Sequence, residues 1–146
     1  MRNFTIDGLR PYLTKNGRDL KSFEKLLTGI EPSPEQAAEL FRLFTEDETF
    51  NDEMWSMLHF VESLRLEDYV EVVIRSIKFL NIEAPFWSGV ILVRILNSPR
   101  ALQWLKAKIS SSPRIDKVSL KNTLNEIVRY DESFVEVVSE LQFDIS

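Results

Sequence analysis

The stretch DEMWSMLHFVESL, from Asp52 to Leu64, holds the single histidine of the chain, His59. On a helix, Trp55, His59 and Glu62 fall at positions i, i+4 and i+7 and share one face. Acid–base catalysis and metal binding both use a histidine beside a carboxylate. Zinc catalysis needs three protein ligands, however, and the sequence has no second histidine and no cysteine. The pattern therefore favours a polar network within a helical core over a reactive site.

The serines, glycines and acidic residues of the chain lack the spacing that a nucleophile, a phosphate-binding loop or a metal site requires. No serine lies in a nucleophile-elbow pattern, and the four glycines are isolated, so no phosphate-binding loop is present. The run Glu46–Glu48 and the pair Glu67–Asp68 offer oxygen ligands for Mg²⁺, but they lack EF-hand spacing and are typical of solvated turns. We expect no enzymatic activity, no catalytic residues, no metal and no cofactor.

Helical periodicity runs through most of the chain and must position these residues. The segments SPEQAAELFRLF and NSPRALQWLKAKI both begin with a serine N-cap followed by proline, at Ser33 and Ser98. Asp52 and Asp116 are predicted to cap two further helices. Residues 1–18 are expected to hold a short helix or an extended arm. The sequence predicts seven or eight helices with short connections, at residues 19–28, 33–45, 52–64, 67–80, 84–97, 99–110, 116–130 and 132–142.

A weak internal repeat indicates how the helices pack. When the chain is shifted by 32 residues, MWSMLHFVESL aligns with FWSGVILVRIL, so that Trp55 aligns with Trp87 and Glu62 with Arg94. Helix pairs of this length stack side by side in α-solenoids. We therefore predict one all-α domain over residues 1–146, a HEAT- or armadillo-like stack of antiparallel helix pairs. The segment at residues 84–97, apolar nearly all round, is expected to be its central helix.

The alignment predicts an ion pair between Glu62 and Arg94 across the seam between two repeats. With His59 one turn away, the three groups would satisfy each other, and pairing avoids the cost of an isolated buried charge. Asn97 is expected to cap the turn that follows its helix. We therefore predict a structural polar core that consists of Trp55, His59, Glu62, Trp87, Arg94 and Asn97.

Charge is arranged in blocks along the chain. Residues 31–71 contain twelve acidic and two basic side chains, whereas residues 72–130 contain three acidic and ten basic ones. Such blocks produce a dipolar field that steers partners. The acidic block is either a solvated face or a surface for a cationic partner. The basic side chains lack the interleaved aromatics of a nucleic-acid platform, so we expect no nucleic-acid ligand.

The segments WSMLHFVESL, YVEVVIRSI and APFWSGVILVRILNSP resemble an all-α family of bacterial immunity proteins from polymorphic-toxin and contact-dependent growth-inhibition systems. The pattern W-x-x-x-H-x-x-E and the segment RILNS carry the resemblance. It implies a protein that binds a cognate toxin domain, often a nuclease, and blocks its active site or substrate access.

The acidic block would supply the partner surface by imitating nucleic acid. We expect that surface to consist of Glu46, Asp47, Glu48, Asp52, Glu53, Glu67, Asp68 and Glu71.

The alternative is a non-enzymatic helical scaffold or regulatory module that binds a peptide or protein. In either case we expect no small-molecule substrate. The N-terminus lacks an export signal, and no apolar run approaches the roughly 18 residues of a membrane span. We therefore expect a cytoplasmic protein with no membrane contact.

Overall fold

The computed structural model describes the backbone of residues 6–145 and the side chains of residues 6–141. The all-α prediction is confirmed, because no strand occurs in this part of the chain. Short 3-10 helices lie at Ile6–Leu13, Glu48–Phe50 and Glu132–Phe134. The α-helices are α1 (Leu20–Thr28), α2 (Pro34–Phe41), α3 (Asn51–Val61), α4 (Leu66–Glu83), α5 (Pro85–Leu96), α6 (Pro99–Ile109), α7 (Arg114–Tyr130) and α8 (Val135–Ile145).

Two of the four predicted helix caps are present. The hydroxyl oxygen of Ser33 accepts a hydrogen bond from the Gln36 amide, and that of Ser98 accepts one from the Ala101 amide. Each bond satisfies a free amide in the first turn of a helix. The predicted caps Asp52 and Asp116 are wrong, because α3 and α7 begin earlier and both residues lie inside a first turn.

The α3 and α8 helices start in the same way. Asp47 caps the 3-10 turn Glu48–Phe50 by accepting from the Thr49 amide at 3.0 Å, and α3 follows directly. Asp131 caps the turn Glu132–Phe134 by accepting from the Ser133 amide at 3.0 Å, and α8 follows directly. The two sequences, DETF and DESF, are nearly identical. The second copy therefore offers a matched control for substitutions in the first.

Packing joins the helices into one hydrophobic core. Buried side chains from all eight α-helices belong to a single cluster. Helices two apart in the chain pack together, as α1 with α3, α2 with α4, α4 with α6, α5 with α7 and α6 with α8, while α3 and α5 meet through their side chains. Such contacts are those of stacked helix pairs. The HEAT- or armadillo-like superhelix stays a prediction, as does the division into one domain.

The central helix is α4 rather than α5, because four other helices pack closely against it, so the prediction that residues 84–97 form the central helix is wrong. Eight of the side chains of α4 are buried, and it packs against α2, α5, α6 and α7. By contrast, Phe86 and Arg94 of α5 are exposed, as is Asn97 directly after the helix. None of the described helices is long and apolar enough to cross a membrane.

Candidate functional site

Four carboxylates gather where α2 ends and α3 begins. Glu46, Asp47, Glu48 and Asp52, here called the acidic corner, are all exposed. Hydrogen bonds from the backbone and side chain of Thr49 lower the pKa of Asp47 below its usual value. Asp47 therefore stays ionised in mildly acidic solution. Among the described residues, no lysine or arginine forms an ion pair with Glu46, Asp47 or Glu48. Asp52 is the member of the corner that a cation approaches, so its negative charge comes mainly from Glu46, Asp47 and Glu48.

Glu46 ties the acidic corner to the start of α5. Both of its carboxylate oxygens lie 3.2 Å from the Phe86 amide nitrogen, which donates to them. Phe86 is the second residue of α5, where a helix has free amides and the positive end of its dipole. A carboxylate is therefore stable there. The contact fixes the corner beside the turn between α4 and α5.

Glu53 does not belong to the accessible acidic surface. Its side chain is fully buried, and Arg18 donates to its two oxygens at 3.0 and 3.4 Å. The same guanidinium reaches Asp52 at 3.4 Å. Hydrogen bonding to Glu53 is the main reason that the pKa of Arg18 is raised, and the negative charge of Asp52 raises it further. The expectation that Glu53 faces a partner is therefore wrong, because Arg18 covers it.

The remaining predicted acids lie at the other end of α3. Glu67, Asp68 and Glu71 belong to the first turns of α4, and α3 separates them from the acidic corner by roughly 15 Å. Lys108 of α6 lies 3.1 Å from Glu67 and 3.8 Å from Glu71. Two of these three carboxylates are thus partly neutralised. The predicted patch divides into two groups, and the acidic corner carries the greater free charge.

Aromatic side chains connect α3 to α5 behind the acidic corner. The rings of Trp55 and Trp87 meet edge to face with centroids 5.1 Å apart, and Phe44 and Phe86 lie 5.8 and 5.4 Å from Trp87. Trp87 is buried, whereas Trp55 is half-buried. Edge-to-face contacts add to the free energy gained from burial. The repeat-equivalent tryptophans therefore pack against each other, as stacked repeats require.

The predicted ion pair between Glu62 and Arg94 is present. The Nε and Nη2 atoms of Arg94 donate to the two carboxylate oxygens of Glu62 at 2.7 and 2.9 Å. The guanidinium also lies over the Trp55 ring, 5.8 Å from its centroid. Hydrogen bonding to Glu62 raises the pKa of Arg94. The pair links the C-terminal ends of α3 and α5 at the molecular surface.

His59, Arg94 and Asn97 lie at the surface, contrary to the expectation of an internal position. His59 contacts the Trp55 ring at a centroid distance of 5.8 Å, and its side chain forms no hydrogen bond within the described residues. It does not join the Glu62–Arg94 pair. Asn97 ends α5 by donating its backbone amide to the Val93 carbonyl, while its side chain is exposed. The outward positions of Arg94 and Asn97 follow from α5, which lies at the edge of the core, whereas His59 lies on the exposed side of α3.

Two contacts of the site gave no signal in the sequence. Arg18 and Lys108 come from the basic parts of the chain and neutralise acids 35 and 41 residues away. No periodic pattern predicts such pairs, because tertiary packing alone brings them together. Within residues 6–141, no three histidine, aspartate or glutamate side chains are grouped to hold a metal ion.

Comparison with known proteins decides the family. The family model described as Immunity protein 30 matches residues 12–105. This chain belongs to that immunity protein family. No curated protein and no solved structure matches it.

The part of this immunity protein that matches the family model contains both acidic groups and the aromatic contacts. It begins inside the first 3-10 helix and ends inside α6. The helices α7 and α8 lie beyond it and pack against α4, α5 and α6. The earlier resemblance to immunity proteins is thereby confirmed at the level of the family.

Proposed function

We propose that this immunity protein binds the toxin domain of a bacterial effector in the cytoplasm and neutralises it, with no catalytic step of its own. Family membership supports a protein toxin as the partner. Binding is stoichiometric, so one immunity protein occupies one toxin. The effector belongs to a polymorphic-toxin or contact-dependent growth-inhibition system, and its toxin domain acts on nucleic acid.

The acidic corner is the observation that carries the nuclease assignment. A nuclease binds the phosphate backbone through a basic groove. Glu46, Asp47 and Glu48 place three carboxylates on a short exposed segment with no cation paired to them in the described structure. Carboxylates at that spacing replace phosphates in such a groove and exclude the substrate. Inhibition is therefore steric and electrostatic.

The charge arrangement also favours fast capture. Complementary fields raise association rates toward about 10⁸–10⁹ M⁻¹s⁻¹ at low ionic strength. Speed matters here because an incoming toxin must be bound before it cleaves many substrate molecules. The second acidic group, at Glu67, Asp68 and Glu71, adds to the negative field. Lys108 weakens the contribution of this group because it pairs with Glu67 and Glu71.

Co-expression tests this function. The effector gene is expected immediately upstream, and its C-terminal domain is produced in a bacterial host alone, with this protein, or with an unrelated immunity protein. We expect the toxin domain to stop growth, this protein to restore it, and the unrelated protein to have no effect. Loss of nucleic acid in the poisoned cells supports a nuclease. Failure to restore growth overturns the proposed function, and rescue without nucleic-acid damage overturns the nuclease assignment alone.

A further inference from the structure

Two apolar side chains project from the turn between α4 and α5. Ile82 is 79% exposed and Phe86 is 60% exposed, which makes them the most exposed large apolar residues within residues 12–105. A single residue, Ala84, separates the two helices, so both side chains lie at the same end of the molecule. Solvent exposure of this extent is unfavourable, and large apolar side chains exposed around one turn are typical of an interaction surface.

The turn that carries them is held firmly. Asn81, near the end of α4, donates to the Ser119 carbonyl at 3.0 Å and accepts from the hydroxyls of Ser88 and Thr123 at 2.6 Å each. This network joins α4, α5 and α7 behind the turn. It anchors residues on both sides of the turn to α7.

The Phe86 ring is fixed by two further contacts. The ring meets that of the buried Trp87 edge to face with the centroids 5.4 Å apart, and the backbone of Phe86 is held by the hydrogen bond from its amide to the Glu46 carboxylate. Pro85 precedes it at the first position of α5 and restricts the backbone. An aromatic side chain held in place before binding loses little conformational entropy when a partner arrives. Aromatic anchors of this kind are enriched in the centres of interfaces.

The surroundings of the apolar pair are acidic. Glu46 touches Phe86 through its carboxylate, Asp47 and Glu48 follow it in the chain, and the exposed Glu83 adjoins Ile82. No ion pair within the described residues neutralises any of these four carboxylates. An apolar centre with an anionic rim matches a surface of lysines and arginines, because their aliphatic stems cover apolar groups while their charged ends meet carboxylates.

We infer that Ile82 and Phe86 are the apolar anchor of the toxin-binding surface and that the cationic face of the toxin domain covers them. The inference rests on the proposed function and adds to it the centre of the interface. A second copy of this chain is a poor occupant, because two-fold contact would place one acidic rim against another. An anionic lipid surface is repelled for the same reason.

Binding of the purified toxin domain from the upstream effector tests the inference. The variants are Phe86→Ala, which removes the ring, and Ile82→Lys, which places a cation against the cationic partner. Tyr130→Ala and Val135→Lys are the matched controls, since these residues are 88% and 48% exposed and lie outside residues 12–105. Circular dichroism and melting curves establish that each variant folds. Surface plasmon resonance then gives association and dissociation rates at several salt concentrations.

We expect Phe86→Ala to weaken binding by at least about tenfold, mainly through faster dissociation and with an unchanged salt slope. Ile82→Lys weakens binding further, and both controls stay within about twofold of the wild type. Equal binding by Phe86→Ala, Ile82→Lys and the controls overturns the anchor and leaves the proposed function intact. Failure of the wild type to bind overturns both. A dimer in light scattering that Ile82→Lys dissociates assigns the surface to a second copy and also overturns the inference.

Discussion

Arg94 binds Glu62 through two parallel hydrogen bonds of 2.7 and 2.9 Å and so joins α5 to α3, 32 residues earlier in the chain. The side chain of Glu62 is 22% exposed and that of Arg94 is 43% exposed. The pair is therefore neither fully solvated nor deeply buried. Its bidentate geometry makes it stronger than most surface pairs, while water limits its contribution.

We expect Glu62→Gln to lower the melting temperature by about 2–4 °C, which corresponds to a loss of about 1 kcal/mol. A double-mutant cycle with Arg94→Gln isolates the coupling between the two side chains. Thermal unfolding followed by circular dichroism measures it. Strictly additive effects of the two substitutions would show that the pair contributes nothing to stability.

A buried carboxylate with a single cationic partner makes Lys78 important for stability. The Lys78 ammonium lies 2.8 Å from Asp116, whose side chain is 1% exposed. We expect Lys78→Met to leave that carboxylate unpaired and to lower the free energy of unfolding by about 1–3 kcal/mol. Lys106→Met is the control, because its partner Glu140 is 64% exposed and its loss should cost at most about 0.5 kcal/mol. Equal losses in urea titrations of the two variants would contradict this prediction.

The Tyr69 hydroxyl is buried without a hydrogen-bond partner in the described structure. Burial raises the pKa of Tyr69, with a further increase from the nearby negative charge of Glu62. Its ionisation is therefore delayed beyond that of an exposed tyrosine, and stability declines at pH values above about 10, where the unfolded chain ionises first.

We expect Tyr69→Phe to leave the melting temperature unchanged or to raise it, because the substitution removes an unsatisfied polar atom. It should also remove the ionisation of Tyr69 from the ultraviolet titration. A clear fall in melting temperature would mean that the hydroxyl forms a stabilising bond.

The two aspartates that cap 3-10 turns, Asp47 and Asp131, make the stability of the protein depend on pH. Hydrogen bonds from Thr49 lower the pKa of Asp47, and those from Ser133 lower the pKa of Asp131. Each aspartate has a lower pKa in the folded protein than in the unfolded chain, where it is about 4. The stability that its ionised form provides is therefore complete above about pH 4 and is lost as the pH falls through the lowered pKa of the folded state.

We expect the double variant Asp47→Asn and Asp131→Asn to flatten the fall in melting temperature below about pH 4, since asparagine keeps the cap but does not titrate. Melting curves between neutral pH and about pH 2.5 measure the slope. A slope equal to that of the wild type would show that other carboxylates dominate acid unfolding.

Local signals in the sequence predicted the helices and the Glu62–Arg94 contact. Serine–proline pairs marked two helix starts, and the 32-residue repeat aligned Glu62 with Arg94 because equivalent positions of stacked helices lie side by side. The level of burial was harder to predict. Arg94 lies on the apolar helix α5 yet is exposed, because α5 lies at the edge of the core and α4 fills its centre. His59 is exposed on α3 although apolar residues flank it in the sequence.

The charge pattern of the sequence revealed an acidic block but not which of its carboxylates are paired with cations after folding. The acidic block was visible in composition, but Arg18 buries Glu53 and Lys108 approaches Glu67. These cations are distant in sequence and reach the acids only after folding. Glu46, Asp47 and Glu48 form no ion pair in the described structure because their segment is a surface connection, and such connections commonly carry binding residues. That they contact a toxin stays a prediction.

The association rate between this protein and the toxin domain, measured by stopped flow over a range of ionic strength, is the most direct test of capture by the acidic corner. The double variant Asp47→Asn and Glu48→Gln keeps the cap and removes two charges, and Asp131→Asn and Glu132→Gln makes the same change in the matched DESF turn. We expect the first variant to associate roughly three- to tenfold more slowly at low salt and with a weaker salt dependence, and the second to match the wild type. Equal rates and equal salt slopes for both variants would contradict electrostatic capture by the acidic corner.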